Sequence, residues 1–405
     1  GQIDRLTTTP LGIRPIDVSD LLDPFRREHV SSSLFLPLID RTALQQLRKL
    51  PQKRYVARRP EWKDVVHGSD ATIGFFERSI TSDVVDGLRN ALNDCLQSQE
   101  KLRLQLLVGA PGSGKSTLAI RAAAQLVDEG VCTAIDARFA VNDEEEVLAV
   151  VATLQGRQDP KRALLLVLDD PLGVASLWPR VLDKLSKLRP RMVVLAATPE
   201  FLLDRYSQQL SSLRLLPPRR VERPDCSERL TLARFYPKSD MTELSSGNEE
   251  LLVLTMLAAT NTPFDEIIDG LWDNLAEGAR LPRTVLGREL PWQVEALWLV
   301  VFFNPAYGAC PLLLLKAFLA PWFRDDEEVG ERLAQMKSAH GWGVFQIEES
   351  PASFASQGGV VRTMHTLVAQ AAWDRRPAAS WSVTESIAKA SLRFPMAARP
   401  LAQSL

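Results

Sequence analysis

Residues 103–117 are Arg-Leu-Gln-Leu-Leu-Val-Gly-Ala-Pro-Gly-Ser-Gly-Lys-Ser-Thr. A short apolar run in this stretch ends in a glycine-rich loop, and residues that favour a helix follow. Gly109, Gly114, Lys115 and Ser116 fit the pattern GxxxxGK followed by Ser or Thr, and a strand before the loop with a helix after it is the context that makes this pattern specific. The sequence therefore predicts a phosphate-binding loop.

Each residue type in this loop has a chemical reason. Glycine at positions 109, 112 and 114 lets the backbone adopt positive φ and approach an anion closely, so that successive N–H groups point inward. Lys115 supplies a mobile positive charge for the outer phosphates, and the hydroxyl of Ser116 suits Mg²⁺, which prefers few protein ligands. The predicted nucleotide-binding residues of the loop are Gly109, Pro111, Gly112, Ser113, Gly114, Lys115, Ser116 and Thr117.

Around the loop, apolar runs typical of strands alternate with stretches of helical spacing. The strand before the loop is followed by predicted strands at 131–136, 163–168, 192–197 and 219–222. The predicted helices are 79–96, 117–128, 144–154, 177–188 and 200–210. This alternation predicts an α/β P-loop NTPase fold, a parallel sheet with helices on both faces that binds its ligand at the carboxyl ends of the strands.

Two carboxylates, Asp169 and Asp170, follow a buried strand downstream of the loop. We expect Asp169 to bind Mg²⁺ together with Ser116, and Asp170 to position or deprotonate the attacking water. The predicted catalytic residues are therefore Lys115, Asp169 and Asp170. An ordinary strand-to-turn boundary is the alternative, because Asp-Asp-Pro also favours a turn. Thr198, after the next strand, is a candidate for sensing the γ-phosphate or else a helix N-cap.

From residue 225 onward the periodicity is almost wholly helical. Helices at 227–236, 249–259 and 264–275 predict a small helical lid. Helices at 292–303, 311–319 and 329–336, followed by extended segments at 343–347 and 359–362 and a last helix at 364–373, predict a winged-helix order. The acidic residues at 325–331 disfavour contact with DNA phosphates. The predicted domains are an N-terminal arm (1–75), the P-loop domain (76–224), the lid (225–285), the winged-helix domain (286–377) and a tail (378–405).

The composition of the 405 residues is that of an ordinary globular protein with a net charge of −2, which provides no general attraction for nucleic acid or membrane. The four cysteines are scattered without a CxxC pair, so a reducing, cytoplasmic location is expected. The apolar stretch Ala296–Phe323 contains proline and glycine interruptions, so no membrane span is expected. A basic stretch from Arg48 to Lys63 contains aromatic residues, which can indicate nucleic-acid contact. The alternatives are a solvated face or a docking surface for a neighbouring domain.

The loop, the paired aspartates, the lid and the winged helix, in this order, make residues 75–377 resemble the STAND class of signal-transduction ATPases, which includes the NACHT and NB-ARC switches. The segment after the hairpin resembles the MHD-type motif of that class: Arg362-Thr363-Met364-His365-Thr366-Leu367-Val368. The resemblance implies that His365 contacts the β-phosphate of bound ADP and stabilises a closed form. A surface or capping histidine at a helix start is the alternative.

The resemblance also implies a function. We expect a regulatory switch that holds ADP at rest, oligomerises when ATP and Mg²⁺ replace ADP, and hydrolyses ATP slowly, as in central modules of bacterial anti-phage defence proteins. Such modules work with an effector domain and a repeat sensor, and this sequence has no repeat period. One alternative is a motor-type AAA+ ATPase acting on DNA or protein. A second is a DNA-binding scaffold that uses the basic stretch and the winged helix.

Overall fold

The computed structural model describes only part of the chain. The described residues are 38–50, 60–67, 69–70, 73–74, 76–97, 102–138, 148, 151, 162–169, 178–188, 191–200, 203, 210, 212–236, 249–277, 291–307, 310–323, 326–336, 344–348, 360–363 and 365–375. Asp170 and the predicted tail lie outside these residues. The helices predicted at 144–154 and 200–210 also lie outside them, apart from isolated positions.

The first half of the chain contains nine strands and five helices within the described residues. The strands are β1 (Leu38–Ile39), β2 (Ser69–Asp70), β3 (Ile73–Gly74), β4 (Arg103–Gly109), β5 (Cys132–Asp136), β6 (Ala163–Asp169), β7 (Met192–Pro199), β8 (Arg214–Leu215) and β9 (Arg219–Arg220). The helices are α1 (Arg41–Arg48), α2 (Trp62–Val65), α3 (Thr81–Gln97), α4 (Lys115–Asp128) and α5 (Trp178–Lys187).

Seven of these strands form one mixed sheet in the order β1–β5–β6–β7–β4–β8, with β9 also paired to β4. Strand β4 pairs in parallel with β7, β8 and β9, and β6 pairs in parallel with β5 and β7. These pairs agree with the predicted parallel sheet, although β8 was not among the predicted strands. The prediction of a wholly parallel sheet is wrong at one edge, where β1 runs antiparallel to β5. A two-residue strand is too short to produce the alternating pattern by which a strand is detected in sequence.

Side chains alternate between the two faces of the sheet along each strand, and helices pack on both faces, so both faces are buried. On one face, Leu104, Leu106 and Val108 of β4 pack in a cluster with α5. On the other, Leu107 of β4 packs in a second cluster with α3 and α4. Strand β7 lies between β4 and β6, so the carboxyl ends of these three strands are neighbours, with Gly109 opposite Pro199 and Asp169 opposite Ala197.

The segment before residue 75 contributes to this second cluster. Ile39, Leu44, Trp62 and Val65 are buried among side chains of α3 and α4. The indole Nε1 of Trp62 donates a hydrogen bond to Asp136 at the end of β5, at 2.8 Å. The expected boundary between arm and P-loop domain at residue 75 therefore does not coincide with a break in packing.

The described part of the basic stretch is engaged with the protein itself. Arg48 Nη1 lies 3.0 Å from Asp128 Oδ1 at the end of α4, and Arg48 Nε donates to the carbonyl of Val66. Lys63 Nζ lies 2.7 Å from Glu61. These contacts favour the docking interpretation of this stretch for the residues that the structure describes.

Beyond residue 225 the predicted helices and hairpin are present in the predicted order. Helices α6 (Cys226–Phe235), α7 (Leu251–Thr260) and α8 (Phe264–Glu277) come first. They are followed by α9 (Trp292–Tyr307), β10 (Cys310–Pro311), α10 (Leu312–Leu319), α11 (Asp326–Gln335), β11 (Phe345–Glu348), β12 (Val360–Thr363) and α12 (Thr366–Asp374). The three strands form an antiparallel sheet in the order β10–β12–β11, of which β10 was not predicted.

Among the described helices, no single one has both the length and the apolar character needed to cross a bilayer. The two segments Leu251–Thr260 and Phe264–Asp273 meet those criteria only when taken together, and a bend of 73° separates them.

Replacing Gly109 by alanine is expected to lower the free energy of unfolding of the ligand-free chain by about 2 kcal/mol, the usual cost of overpacking. An added Cβ would lie 2.5 Å from the backbone oxygen of Val221, which is fixed because Val221 N–H bonds Val108 O in the sheet. Urea unfolding followed by circular dichroism measures the change.

Gly87→Ala in α3 is the matched control for Gly109→Ala. There an added Cβ meets only the flexible guanidinium of Arg219, at 3.2 Å, and alanine favours a helix over glycine by about 0.5–1 kcal/mol. We therefore expect Gly87→Ala to be neutral or stabilising. Equal stability of the two variants would contradict the close approach at Gly109.

Candidate nucleotide-binding site

The phosphate-binding loop connects the end of β4 at Gly109 to the start of α4 at Lys115. Gly112 and Gly114 have φ of 84° and 91°, a region that residues with a side chain rarely adopt. The glycines at these two positions are therefore required by the backbone. The first N–H groups of α4 are directed toward the loop, which is a favourable position for an anion.

Lys115 lies within this loop and is largely buried. Its Nζ donates to the carbonyl oxygens of Gly109 at 3.1 Å and Ala110 at 2.6 Å, and it lies 3.5 Å from Ser113 Oγ. All three acceptors belong to the loop. The ammonium group is thus held beside the carboxyl end of β4, where the sequence analysis expects the outer phosphates.

Ser116 and Asp169, the two residues predicted to bind Mg²⁺, are in direct contact. Ser116 Oγ donates a hydrogen bond of 2.8 Å to Asp169 Oδ1. A hydroxyl and a carboxylate are both oxygen ligands of the kind Mg²⁺ uses when phosphates and water complete its shell. The Ser116 hydroxyl and the Asp169 carboxylate therefore suit a Mg²⁺ ion that is bound together with phosphate.

Thr198 lies at the end of β7, opposite Val108 of β4, and is fully buried. Among the described residues, its Oγ1 has no hydrogen-bond partner and no solvent contact. A buried hydroxyl without a partner costs free energy, so such a group commonly marks a missing ligand or water. Its place between the carboxyl ends of β4 and β6 is consistent with a role toward a bound phosphate.

Two distant parts of the chain cover the loop. At the start of α7, Leu252 N–H donates to Gly112 O at 2.9 Å, and Leu251 Cδ2 is 2.8 Å from where a Cβ on Gly114 would be. At the start of α12, Leu367 Cδ2 is 3.0 Å from where a Cβ on Gly112 would be. Both helices therefore contact the backbone of the phosphate-binding loop.

His365 precedes α12 and caps it. Its Nδ1 accepts a hydrogen bond from Leu367 N–H at 3.0 Å, so the capping role that the sequence left open is present. A nitrogen that accepts a hydrogen bond carries no proton, which places the proton of the neutral ring on Nε2. Nε2–H remains as the hydrogen-bond donor of the ring.

The same ring lies close enough to the loop to experience its charges. Burial and the positive charge of Lys115 lower the pKa of His365 to about 4, and the negative charge of Asp169 opposes this effect in part. The imidazole is therefore neutral at physiological pH. The structure brings His365, Lys115 and Asp169 into one site although they are far apart in sequence.

One predicted catalytic residue contributes no described contact to this site. Asp170 lies outside the described residues.

A further contact to the loop, made by Arg78, was not predicted from the sequence. Arg78 is buried before α3, and its Nη1 donates to the carbonyl of Ser113 at 2.8 Å. Its Nε forms an ion pair of 2.9 Å with Glu228 of α6. No local pattern in the sequence distinguishes this arginine from a surface residue.

Comparison with known families supports this nucleotide site. Residues 55–211 match the family model described as Novel STAND NTPase 5. This segment is therefore similar to STAND-class P-loop NTPases. The matched range contains the phosphate-binding loop, Asp169 and Thr198, and it supports a nucleotide-dependent NTPase activity.

The solved structures that resemble this chain have low sequence identity to it. C. elegans PCH-2 is 15% identical with a TM-score of 0.29, and the match covers 39% of this chain and 46% of that one, less than half its length. The Aeropyrum pernix ORC2 protein in ADPNP–ADP complexes is 13% identical over 78% of this chain and 96% of that chain, with a TM-score of 0.32. The Aeropyrum pernix ORC1 protein in complex with DNA is 12% identical over 75% and 94%, with a TM-score of 0.36. Comparison with curated proteins gives no match.

The low pKa of His365 predicts that the stability of the ligand-free chain depends on pH. Since the folded pKa of about 4 is below the unfolded value of about 6.5, the unfolded chain binds more protons between these pH values. This contribution is fully present above about pH 6.5 and is lost as pH falls toward 4. Between pH 7.5 and 5 it amounts to about 2 kcal/mol.

His365→Asn removes the titrating ring and keeps a capping side chain. When the pH falls from 7.5 to 5, wild type should therefore lose about 2 kcal/mol more unfolding free energy than this variant does. Urea unfolding at the two pH values measures it. A difference that stays constant with pH would contradict a buried neutral histidine.

Proposed function

We propose that the protein is a nucleotide-dependent signalling switch. It holds ADP in a closed resting state and, when ATP and Mg²⁺ replace ADP, it opens and associates with further copies of itself. Hydrolysis of ATP is slow and returns the switch to rest. The effector that it drives and the sensor that triggers it belong to further domains or partner chains.

The observation that carries this proposal is the contact between α12 and the phosphate-binding loop. His365 is close enough to Lys115 and Asp169 for their charges to shift its pKa, and Leu367 packs against Gly112. A ligand shifts a conformational equilibrium only if it binds one state better than the other. A neutral imidazole that offers Nε2–H at the phosphate site is such a contact, since it is lost when α12 moves away.

The remaining site residues have distinct proposed roles. Backbone N–H groups of the loop and the ammonium of Lys115 bind the phosphates. Ser116 and Asp169 hold Mg²⁺, which neutralises phosphate charge when bound. Asp170 orients or deprotonates the attacking water, and the unpartnered hydroxyl of Thr198 accepts or donates a hydrogen bond at the γ-phosphate.

The domains have corresponding roles in this proposal. Residues 225–285 act as a helical lid, and residues 286–377 form a winged-helix domain with an intramolecular role. The element order α9, β10, α10, α11, β11, β12 and the sheet order β10–β12–β11 support the second assignment. Binding of nucleic acid is not favoured, because α11 begins Asp-Glu-Glu and would repel phosphates.

The test is to denature the purified chain and identify the released nucleotide by chromatography. A closed switch retains its ligand through purification, so we expect about one ADP per chain. An empty site with rapid ATP turnover would contradict the switch and favour the motor-type ATPase. Release of a guanine nucleotide in place of ADP would leave the switch proposal standing and change only the identity of its ligand.

A further inference from the structure

Arg78 connects three separate parts of the site, and the proposed function gives it no role. Its Nη1 donates to Ser113 O in the phosphate-binding loop, and its Nη2 donates to Glu222 O after β9, both at 2.8 Å. Its Nε bonds Glu228 Oε1 of α6 at 2.9 Å. Glu222 lies immediately before the start of the proposed lid, so the guanidinium spans the junction between that lid and the loop.

The partners of Arg78 are fixed in turn. Glu228 Oε1 also accepts from the backbone N–H and the hydroxyl of Ser79, at 2.8 and 2.9 Å. Burial alone would raise the pKa of Glu228, but the hydrogen bonds from Arg78 and Ser79 lower it overall, so the carboxylate stays charged. A guanidinium presents its donors in one rigid plane, so it can hold three acceptors in a fixed relation.

The bond to Ser113 O has a direct effect on the loop. In a planar trans peptide the carbonyl and the following N–H point in opposite directions. Holding Ser113 O on the Arg78 side therefore turns the N–H of Gly114 to the other side of the loop. Gly114 adopts positive φ, and backbone N–H groups aligned in this way are what a phosphate-binding nest uses.

We propose that Arg78 is a positioning residue that holds the phosphate-binding loop in its anion-binding conformation and couples that conformation to α6 of the lid. This inference rests on the proposed function, because it concerns the same nucleotide site. Arg78 acts through Ser113 and Gly114 and need not touch the nucleotide. When α6 moves away from the P-loop domain, Glu228 releases Arg78 and the loop loses its fixed peptide.

The test distinguishes the effect of losing the hydrogen bond from Arg78 to Ser113 from the effect of losing the ion pair between Arg78 and Glu228. Removing Arg78 alone would leave Glu228 charged and buried, which by itself could unfold the lid. We therefore compare Glu228→Gln, whose amide oxygen can still accept the hydrogen bonds from Arg78 and Ser79 and so keep the arginine in place, with the double variant Arg78→Gln/Glu228→Gln, which removes the arginine and leaves no buried charge unpaired. Each full chain is stripped of nucleotide and titrated with ADP and with AMP by calorimetry.

We expect Glu228→Gln to bind ADP within about three-fold of wild type and the double variant to bind at least about ten-fold more weakly, a difference of about 1.4 kcal/mol. The ratio of ADP to AMP affinity should fall by a similar factor, because AMP lacks the outer phosphate. General damage to the fold would lower both affinities alike. The control is Arg103→Gln/Asp94→Asn, which removes an ion pair of 2.7 Å at the opposite end of β4, and it should leave ADP binding unchanged.

The outcomes are distinct. If wild type binds ADP and the double variant binds it as tightly as Glu228→Gln does, the positioning role is overturned while the proposed function stands. An unchanged ratio of ADP to AMP affinity overturns it equally. If wild type binds no ADP at all, the proposed function fails and this inference fails with it.

Discussion

Replacing Lys115 by methionine is expected to lower the affinity for ADP by at least about 100-fold. Methionine keeps the unbranched apolar stem and removes only the ammonium group, which lies inside the loop within 3.1 Å of two of its carbonyl oxygens. A charge-assisted hydrogen bond contributes about 1.5–3 kcal/mol, and an ammonium can give two of them to a diphosphate, so about 3–6 kcal/mol is at stake. Titration with a fluorescent ADP analogue measures the affinity.

Lys187→Met is the control for Lys115→Met. Lys187 lies at the end of α5, where its exposed ammonium pairs with Asp183 at 2.7 Å. An exposed ion pair contributes little to stability, so this variant should bind ADP as wild type does. ADP affinity of Lys115→Met within three-fold of wild type would show that the loop does not bind phosphate in the proposed way.

The phosphate-binding loop and the contact between the two proposed magnesium ligands could be predicted because their signals are local. Each residue stands at the end of an element whose pattern is visible over a few positions: Gly109 ends β4, Lys115 begins α4 and Asp169 ends β6. In parallel sheets such carboxyl ends lie at one edge. The contact between Ser116 and Asp169 follows from that rule, without any knowledge of the packing.

The Arg78–Glu228 pair could not be predicted, because its local signal indicates something else. Asp225 and Glu228 have the spacing of a capping box, in which the glutamate bonds the N-cap backbone. Asp225 does cap α6, since its Oδ1 accepts from Glu228 N–H at 2.8 Å. The Glu228 carboxylate instead bonds Arg78, 150 residues earlier in the chain. A long-range ion pair took the place of the local bond.

The residues that cover the loop could not be derived from sequence patterns, and only the resemblance implied that the segment around His365 approaches the nucleotide. Helical periodicity shows that one face of a helix is buried, but it does not show which surface covers that face. Leu251 and Leu252 were predicted only as residues near the start of a helix, and Leu367 only as part of the motif that contains His365. Their contacts with Gly112 and Gly114 arise from the folding of distant segments onto the loop.

The covering contacts set a limit on what one histidine can do. Moving a two-state equilibrium from 1:99 to 99:1 requires a differential affinity of about 10⁴, or about 5.5 kcal/mol. A single hydrogen bond from neutral His365 to a charged phosphate supplies about 1.5–3 kcal/mol of this. In the proposed switch, the closed and open states therefore have to be nearly equal in free energy before the nucleotide contact is counted. The Leu252 bond to Gly112 and the packing of Leu367 have to provide that balance, so that the nucleotide decides between the two states.

His365→Asn is expected to release ADP at least about ten-fold faster than wild type, because a contact made only in the closed state supplies more than about 1.4 kcal/mol. Asparagine is among the best N-cap residues, so it can accept the hydrogen bond from Leu367 N–H and retain α12. It has no ring to offer Nε2–H at the phosphate site. Dissociation of labelled ADP in the presence of excess unlabelled ADP measures the rate.

His365→Ala separates the two roles of this residue, because it removes the cap as well as the ring. It should release ADP as fast as His365→Asn does and should also lose about 1 kcal/mol of unfolding free energy, the usual contribution of an N-cap side chain. Both variants should form larger assemblies with ATP at lower concentrations than wild type, measured by light scattering. If His365→Asn keeps ADP as long as wild type and stays monomeric, the ring only caps α12, and closure then depends on the packing of Leu367 and the bond from Leu252.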